Sequence, residues 1–268
     1  MGASYLAYLV LCAVALLVSG LTLFSGFGVG TLLMPAFAIF FPIQVAVAAT
    51  AVVHLANNLF KLVLMWRYAD WGVVARFAIP GALMAAVGAF LLTFLADLPV
   101  LATYSLGARL CQVTTVKLVI GALIALVAVL ELVPALEERL QFRRELVPLG
   151  GALSGFFGGL SGLQGALRSA VLIRCGLEKE AFIGTGVVCA VVVDLFRLAT
   201  YGVTFFSRHF DQVAEAGGIG LVAAATLAAF IGAFAGSRLM KKVTMKTVQR
   251  IVGVMLILLA IGLGTGII

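Results

Sequence analysis

Charge is what this chain has least of. Only 11% of its 268 residues are Asp, Glu, Lys or Arg, and a soluble domain of that size needs far more to cover its surface. The first 24 residues carry no Lys or Arg at all. That excludes the basic start of a secretory signal peptide, so the segment counts as part of the first membrane span. Cysteine is scarce too: Cys12, Cys111, Cys175 and Cys189 form no CxxC pair and read as small hydrophobes. Histidine occurs twice, at His54 and His209, and no acidic cluster stands at metal-ligand spacing. No metal, no cofactor and no enzymatic step is therefore expected. The basic excess of +7 is spread over short loops without interleaved aromatics. It speaks for membrane topology and against nucleic acid.

What fills the chain is apolar. The hydrophobic fraction is 63% and the mean hydropathy is +1.22, values that belong to a polytopic membrane protein. Uncharged blocks run over residues 5–24, 147–167, 219–236 and 251–268, each long enough to cross a bilayer core of about 30 Å. Eight hydrophobic units follow: 4–40 (broken near 25–30), 43–66, 72–95, 113–134, 147–173 (broken near 158–165), 181–204, 214–240 and 248–267. The segment 95–112 is less decisive and is read as a short interfacial helix. Residues 134–148, PALEERLQFRRELVP, are the most charged stretch and the natural boundary between two halves. The expected organisation is repeat 1 over 1–134, a connecting loop over 135–146 and repeat 2 over 147–268.

The halves resemble each other. At an offset of 136 positions, Ser25-Gly26 falls on Ser161-Gly162, and NLFKL from Asn58 falls on DLFRL from Asp194. Four units per half, each taken as one crossing, predict parallel repeats. The fold class expected is thus an all-α integral membrane protein of about eight transmembrane helices in two parallel four-helix repeats. The first helix of each repeat is broken at a Gly-rich segment. The Lys/Arg bias places Arg238, Lys241, Lys242, Lys246 and Arg250 in the cytoplasm, with Arg174, Lys179 and Arg109. Arg139, Arg143 and Arg144 then fall outside, as do both termini.

The segment SGFGVGTLLMP at residues 25–35 has glycine at alternate positions. A nucleotide-binding loop would need a strand before it and a helix after it, and this segment interrupts a hydrophobic helix instead. So does its partner GFFGGLSGLQG at 155–165. Such glycines either let helix backbones pack closely or open a discontinuous helix whose free N–H groups attract an anion. Polar residues inside spans mark further candidates, because an ionisable group costs at least about 2.5–3.5 kcal/mol at the bilayer centre. His54, Asn57, Asn58 and Lys61 share a helix face. Asp194 and Arg197 recur on the matching helix, spaced to pair, and Arg168 follows the second break. Each has a plainer reading, as a snorkelling cation, an ion pair or a packing residue. As a set they lean positive, which suits a small anion. The candidate binding residues are Ser25, Gly26, Gly28, His54, Asn57, Asn58, Lys61, Ser161, Gly162, Gln164, Arg168, Asp194 and Arg197.

Over nearly its whole length the chain resembles the sulfite exporter TauE/SafE family. The resemblance rests on SGFGVGTLLMP, on AVAATAVVHLANNLFKLVLMWRYADW and on LSGFFGGLSGLQGALRSAVLIRCGLEKEAFIGTGVVCAVVVDLFRLATY, with AFAGSRLMKKV later. It implies a secondary transporter, an exporter of sulfite or an organosulfonate working by alternating access in the inner (plasma) membrane. A carboxylate, thiosulfate or metal-ion permease and a non-transporting scaffold are the rival readings. Gln164 and Arg168 stand where the first repeat has Gly28 and Leu32, which points to a distinctive substrate preference. The expected partners are a small anionic substrate and membrane lipid, with proton coupling and a homodimer as further candidates.

Overall fold

The computed structural model describes residues 5–22, 29–107, 109–133, 144–206, 218–239 and 245–268. Ten α-helices and one β-hairpin follow in chain order. They are α1 (Tyr5–Thr22), α2 (Val29–Ala38), α3 (Ile43–Met65), α4 (Trp71–Ala96), β1 (Val100–Leu106), β2 (Arg109–Thr114), α5 (Thr115–Leu132), α6 (Val147–Ser161), α7 (Gly165–Ile173), α8 (Lys179–Tyr201), α9 (Gly218–Leu239) and α10 (Met245–Gly264). The Ile43–Tyr68, Trp71–Ala96, Lys179–Thr204 and Gly218–Ala235 segments are long and apolar enough to cross a membrane, and shorter apolar stretches lie in α1, α5 and α10.

Helix starts follow local chemistry. Asp70 caps α4 by accepting the Val73 N–H at 3.0 Å, and Thr114 caps α5 by accepting that of Lys117 at 3.3 Å. Segment 95–112 is not an interfacial helix. Most of it is the antiparallel hairpin β1–β2, with Gly107 at φ +62° at its turn. β1 is exposed along its whole length and carries Val100, Thr103 and Tyr104, residue types that favour strands.

The direction of each helix is read from its neighbours. Gly151, Gly155 and Gly159 on α6 lie against the backbone of Phe77, Gly81 and Ala85 on α4, so these two helices run parallel. A side chain at any of the three would collide with α4, which is the small-residue packing that lipid-embedded helices use. α8 runs against α3: Gly184 near its start abuts the Met65 carbonyl at the end of α3. α1 runs with α9, with Tyr8 at Gly220 and the Leu16 carbonyl at Gly232. α10 runs against α5, with Gly253 at Leu132 and Gly121 at the Ala260 carbonyl.

The broken units do not cross. α6 ends at Gly162, φ +80°, and the chain turns through Leu163 and Gln164 before α7 begins. Ser154 Oγ donates to the Gln164 carbonyl at 2.9 Å, and Gly150 lies against Val171. Val147, Val171, Leu172 and Cys175 then share one cluster with Val73, Val74 and Phe77 at the start of α4. α6 and α7 are therefore a helical hairpin whose two outer ends meet on one face, here the lower. α1 and α2 make the opposite excursion from the upper face. Tyr8 reaches Gly220, and Phe41, just past α2, lines a groove of about 660 Å³ with Gly218 and Ile219 at the same end of α9.

Four helices among the described residues are long and apolar enough to cross a membrane, and the two broken units fold back instead of running straight, so the eight expected crossings are not all found. The repeat-matched helices α3 and α8 run in opposite directions, which the expected parallel layout of the halves does not allow. The basic residues agree with this arrangement. Arg67, Arg76, Arg144, Arg174, Lys179, Arg238, Lys246 and Arg250 sit at or near lower ends, against Arg109 and Lys117 above. Arg144 thereby joins Arg174, from which the eight-span reading separated it, and Arg109 leaves them.

Candidate functional site

The two turned-back units meet in the interior. A methyl group on Gly30, at the start of α2, would stand 2.9 Å from the Gly162 carbonyl oxygen and 3.8 Å from His54 Cδ2. The second turn is wholly enclosed: Ser161 is 0%, Leu163 2% and Gln164 1% exposed. Irregular backbone at membrane depth survives only in such surroundings.

Beside this junction lies a polar network. Asp194 on α8 accepts from Gln164 Nε2 at 2.8 Å and from Arg197 Nε at 2.9 Å, both at Oδ1. Its Oδ2 is 2.6 Å from His54 Nδ1 on α3. A carboxylate only accepts, so Nδ1 carries the hydrogen. Arg197 Nη1 donates to the Gly158 carbonyl at 2.9 Å, near the free C-terminal end of α6, and the Tyr201 hydroxyl donates to the Gly159 carbonyl. Arg197 thus ties α8 to the turned-back unit, with its charge met by Asp194.

The other candidates divide. Asn58 Nδ2 donates to the His54 carbonyl at 2.9 Å and lies over the imidazole, 3.2 and 3.3 Å from its two nitrogens. Asn57 faces α1 instead, where its Oδ1 accepts from Ser19 Oγ at 3.0 Å. Ser161 spends its hydroxyl hydrogen on the Phe157 carbonyl. Lys61 is buried, 7% exposed; the electrostatic neighbour found for it is Arg168, itself 3% exposed. Ser25, Gly26 and Gly28 lie outside the described residues. The interior charge is one-sided. Among the described residues, the buried charged side chains are Lys61, Arg168 and Arg197 against Asp194 alone, with His54 beside them. No group of three or more His, Cys, Asp or Glu comes together among those residues.

Sequence reasoning missed Gly30, Ser19 and Ser154. It also missed the contact between His54 and Asp194, which lie 140 positions apart. Offset matching did place Asp194 opposite Asn58 and Arg197 opposite Lys61. The one pair it spaced for contact, Asp194 with Arg197, is formed, at 2.7 Å from Oδ1 to Nη2.

The model of the sulfite exporter TauE/SafE family matches residues 11–263. The chain belongs to this family. Its members are membrane transporters, and the apolar helices described above are those of an integral membrane protein. Neither a curated protein nor a solved structure matches the chain.

Proposed function

We propose that the chain is a secondary transporter that exports a small sulfur-containing anion, such as sulfite or an organosulfonate, by alternating access. The observation that carries this reading is the meeting of the two turned-back units beside interior charge of net positive sign. α2 and α7 both begin at that junction. Their N-terminal ends lie at that junction, where the helix dipoles favour an anion. Lys61 and Arg168 add buried positive charge to that of Arg197, which is committed to Asp194 and to α6, so the buried cations outnumber the one buried acid among the described residues.

The halves are inverted repeats in this reading, related by an axis in the membrane plane, with the substrate at their interface near mid-depth. α3 and α8, which carry the polar network, lie on either side of that axis. The strongly basic lower face is cytoplasmic and the hairpin face is outside, in the inner (plasma) membrane. Efflux of an anion from a negative interior is favoured by about 2.3 kcal/mol per charge per 100 mV.

The test is flux from proteoliposomes loaded with radiolabelled sulfite or sulfoacetate under an imposed potential. Potential-dependent efflux that excess unlabelled anion blocks supports the reading. Efflux of carboxylate or thiosulfate in preference to either moves the assignment to another solute on the same scaffold.

A further inference from the structure

The bond between His54 and Asp194 joins the two halves of the chain. We propose that His54 Nε2 is a proton site, and that the proton it binds travels with the anion. This rests on the transporter reading given above.

The geometry separates the two ring nitrogens. Nδ1 is held on Asp194 Oδ2 at 2.6 Å and keeps its hydrogen. Asn58 Nδ2 lies 3.3 Å from Nε2, but its hydrogen bond to the His54 carbonyl is the shorter, at 2.9 Å. The adjoining Cδ2 edge faces Gly30, whose neighbour across the junction is the Gly162 carbonyl. Nε2 thus lies on the ring edge toward the place proposed for the anion. A proton taken there puts an N–H beside that anion, and each then binds better with the other present.

The surroundings leave His54 the site for this task. Asp194 and Arg197 face it from α8 and Arg168 from α7, while Lys61 lies further along its own helix. α1 and α2 bring no Asp, Glu, Lys, Arg or His. Asp194 accepts hydrogen bonds from three residues and serves to hold the ring. At the offset of the internal repeat His54 matches Ala190 and Asp194 matches Asn58. The pair therefore occurs once per chain and provides one proton per cycle. Because its members belong to opposite halves, a movement of one half against the other changes the distance between them. Proton release is then tied to the change in access.

The experiment uses the full chain in proteoliposomes holding a pH-sensitive dye, with the potential clamped by potassium and valinomycin. Radiolabelled sulfoacetate is the probe, since its acid groups are ionised at neutral pH and bring no proton of their own. The expected result is one proton moved per anion, with accumulation driven by a pH gradient alone. In His54→Gln, which keeps an N–H for Asp194, gradient-driven flux falls by about tenfold or more and proton movement drops to the leak. Thermal unfolding of the variant in detergent checks that it is folded, and the wild-type stoichiometry stands as a test without any variant. Sulfoacetate flux with no proton movement overturns the proton site and leaves the transporter reading intact. Absence of flux for both sulfoacetate and sulfite under every gradient overturns the transporter reading itself. Proton movement at full stoichiometry in His54→Gln overturns the assignment to His54.

Discussion

Gly162 leaves no room for a side chain on Gly30: its first carbon would stand 2.9 Å from the Gly162 carbonyl. The two turned-back units are held together by this absence of bulk. Gly30→Val is expected to push the units apart and abolish anion flux while the long apolar helices stay folded. Flux at wild-type rate in that variant would separate the junction from the transport path.

The glycine row on α6 is a matter of stability. In Gly155→Ala the new carbon overlaps the Gly81 backbone on α4, and neither helix has a flexible side chain there to move aside. The expected cost is about 1–3 kcal/mol, as for other overpacked interiors. It is read as a lowered thermal midpoint in detergent, whereas Gly107→Ala, on the exposed hairpin turn, costs only the strain of its positive φ.

Charge predictions run in opposite directions on the two matched helices, α8 and α3. Asp194→Ala strands Arg197 and removes the partner of His54, and breaking a buried pair in this way costs about 3–5 kcal/mol. Lys61→Met removes a buried charge beside which no acid stands among the described residues, so thermal stability is expected to hold or rise. Saturating anion stabilises the wild type by roughly 2.7 kcal/mol at 100 times its Kd, and Lys61→Met is expected to lose most of that gain. A variant destabilised without anion, yet protected normally by it, would make Lys61 structural.

Topology is open to direct labelling. Arg144 and Arg174 are exposed at opposite ends of the unit formed by α6 and α7. Cysteines placed there are expected to react from the same, cytoplasmic, side of the membrane. A cysteine at exposed Ser105 on the hairpin reacts from the other side. Labelling of Arg144→Cys and Arg174→Cys from opposite sides would restore a unit that crosses.

Hydropathy located nearly every element, because apolar length and helix breaks are local properties. The units read at 43–66 and 72–95 became helices at Ile43–Met65 and Trp71–Ala96. Direction was not legible in the same way, since an apolar run reads alike whether the chain continues or returns. One signal was present. Eight crossings set Arg144 against Arg174 across the membrane, and folding the glycine units back removes that conflict. The hairpin was missed where Val, Thr and Tyr around Gly107 already favoured strands. His54 was chosen for its polarity alone, and nothing local links it to an aspartate on another helix. The candidates at 25–28 rest on sequence alone.

The opposite directions of the matched helices α3 and α8 also bear on how the chain is made. Two segments of similar sequence must enter the same bilayer facing opposite ways. Their shared apolar pattern carries no instruction about which way to face. That instruction resides in the basic residues at the helix ends, where the halves differ. Arg67 and Arg76 follow the first crossing of one half, and Arg174 and Lys179 precede the first crossing of the other. By the positive-inside rule, a few cations at the helix ends then set orientation, while the apolar interior is indifferent to it.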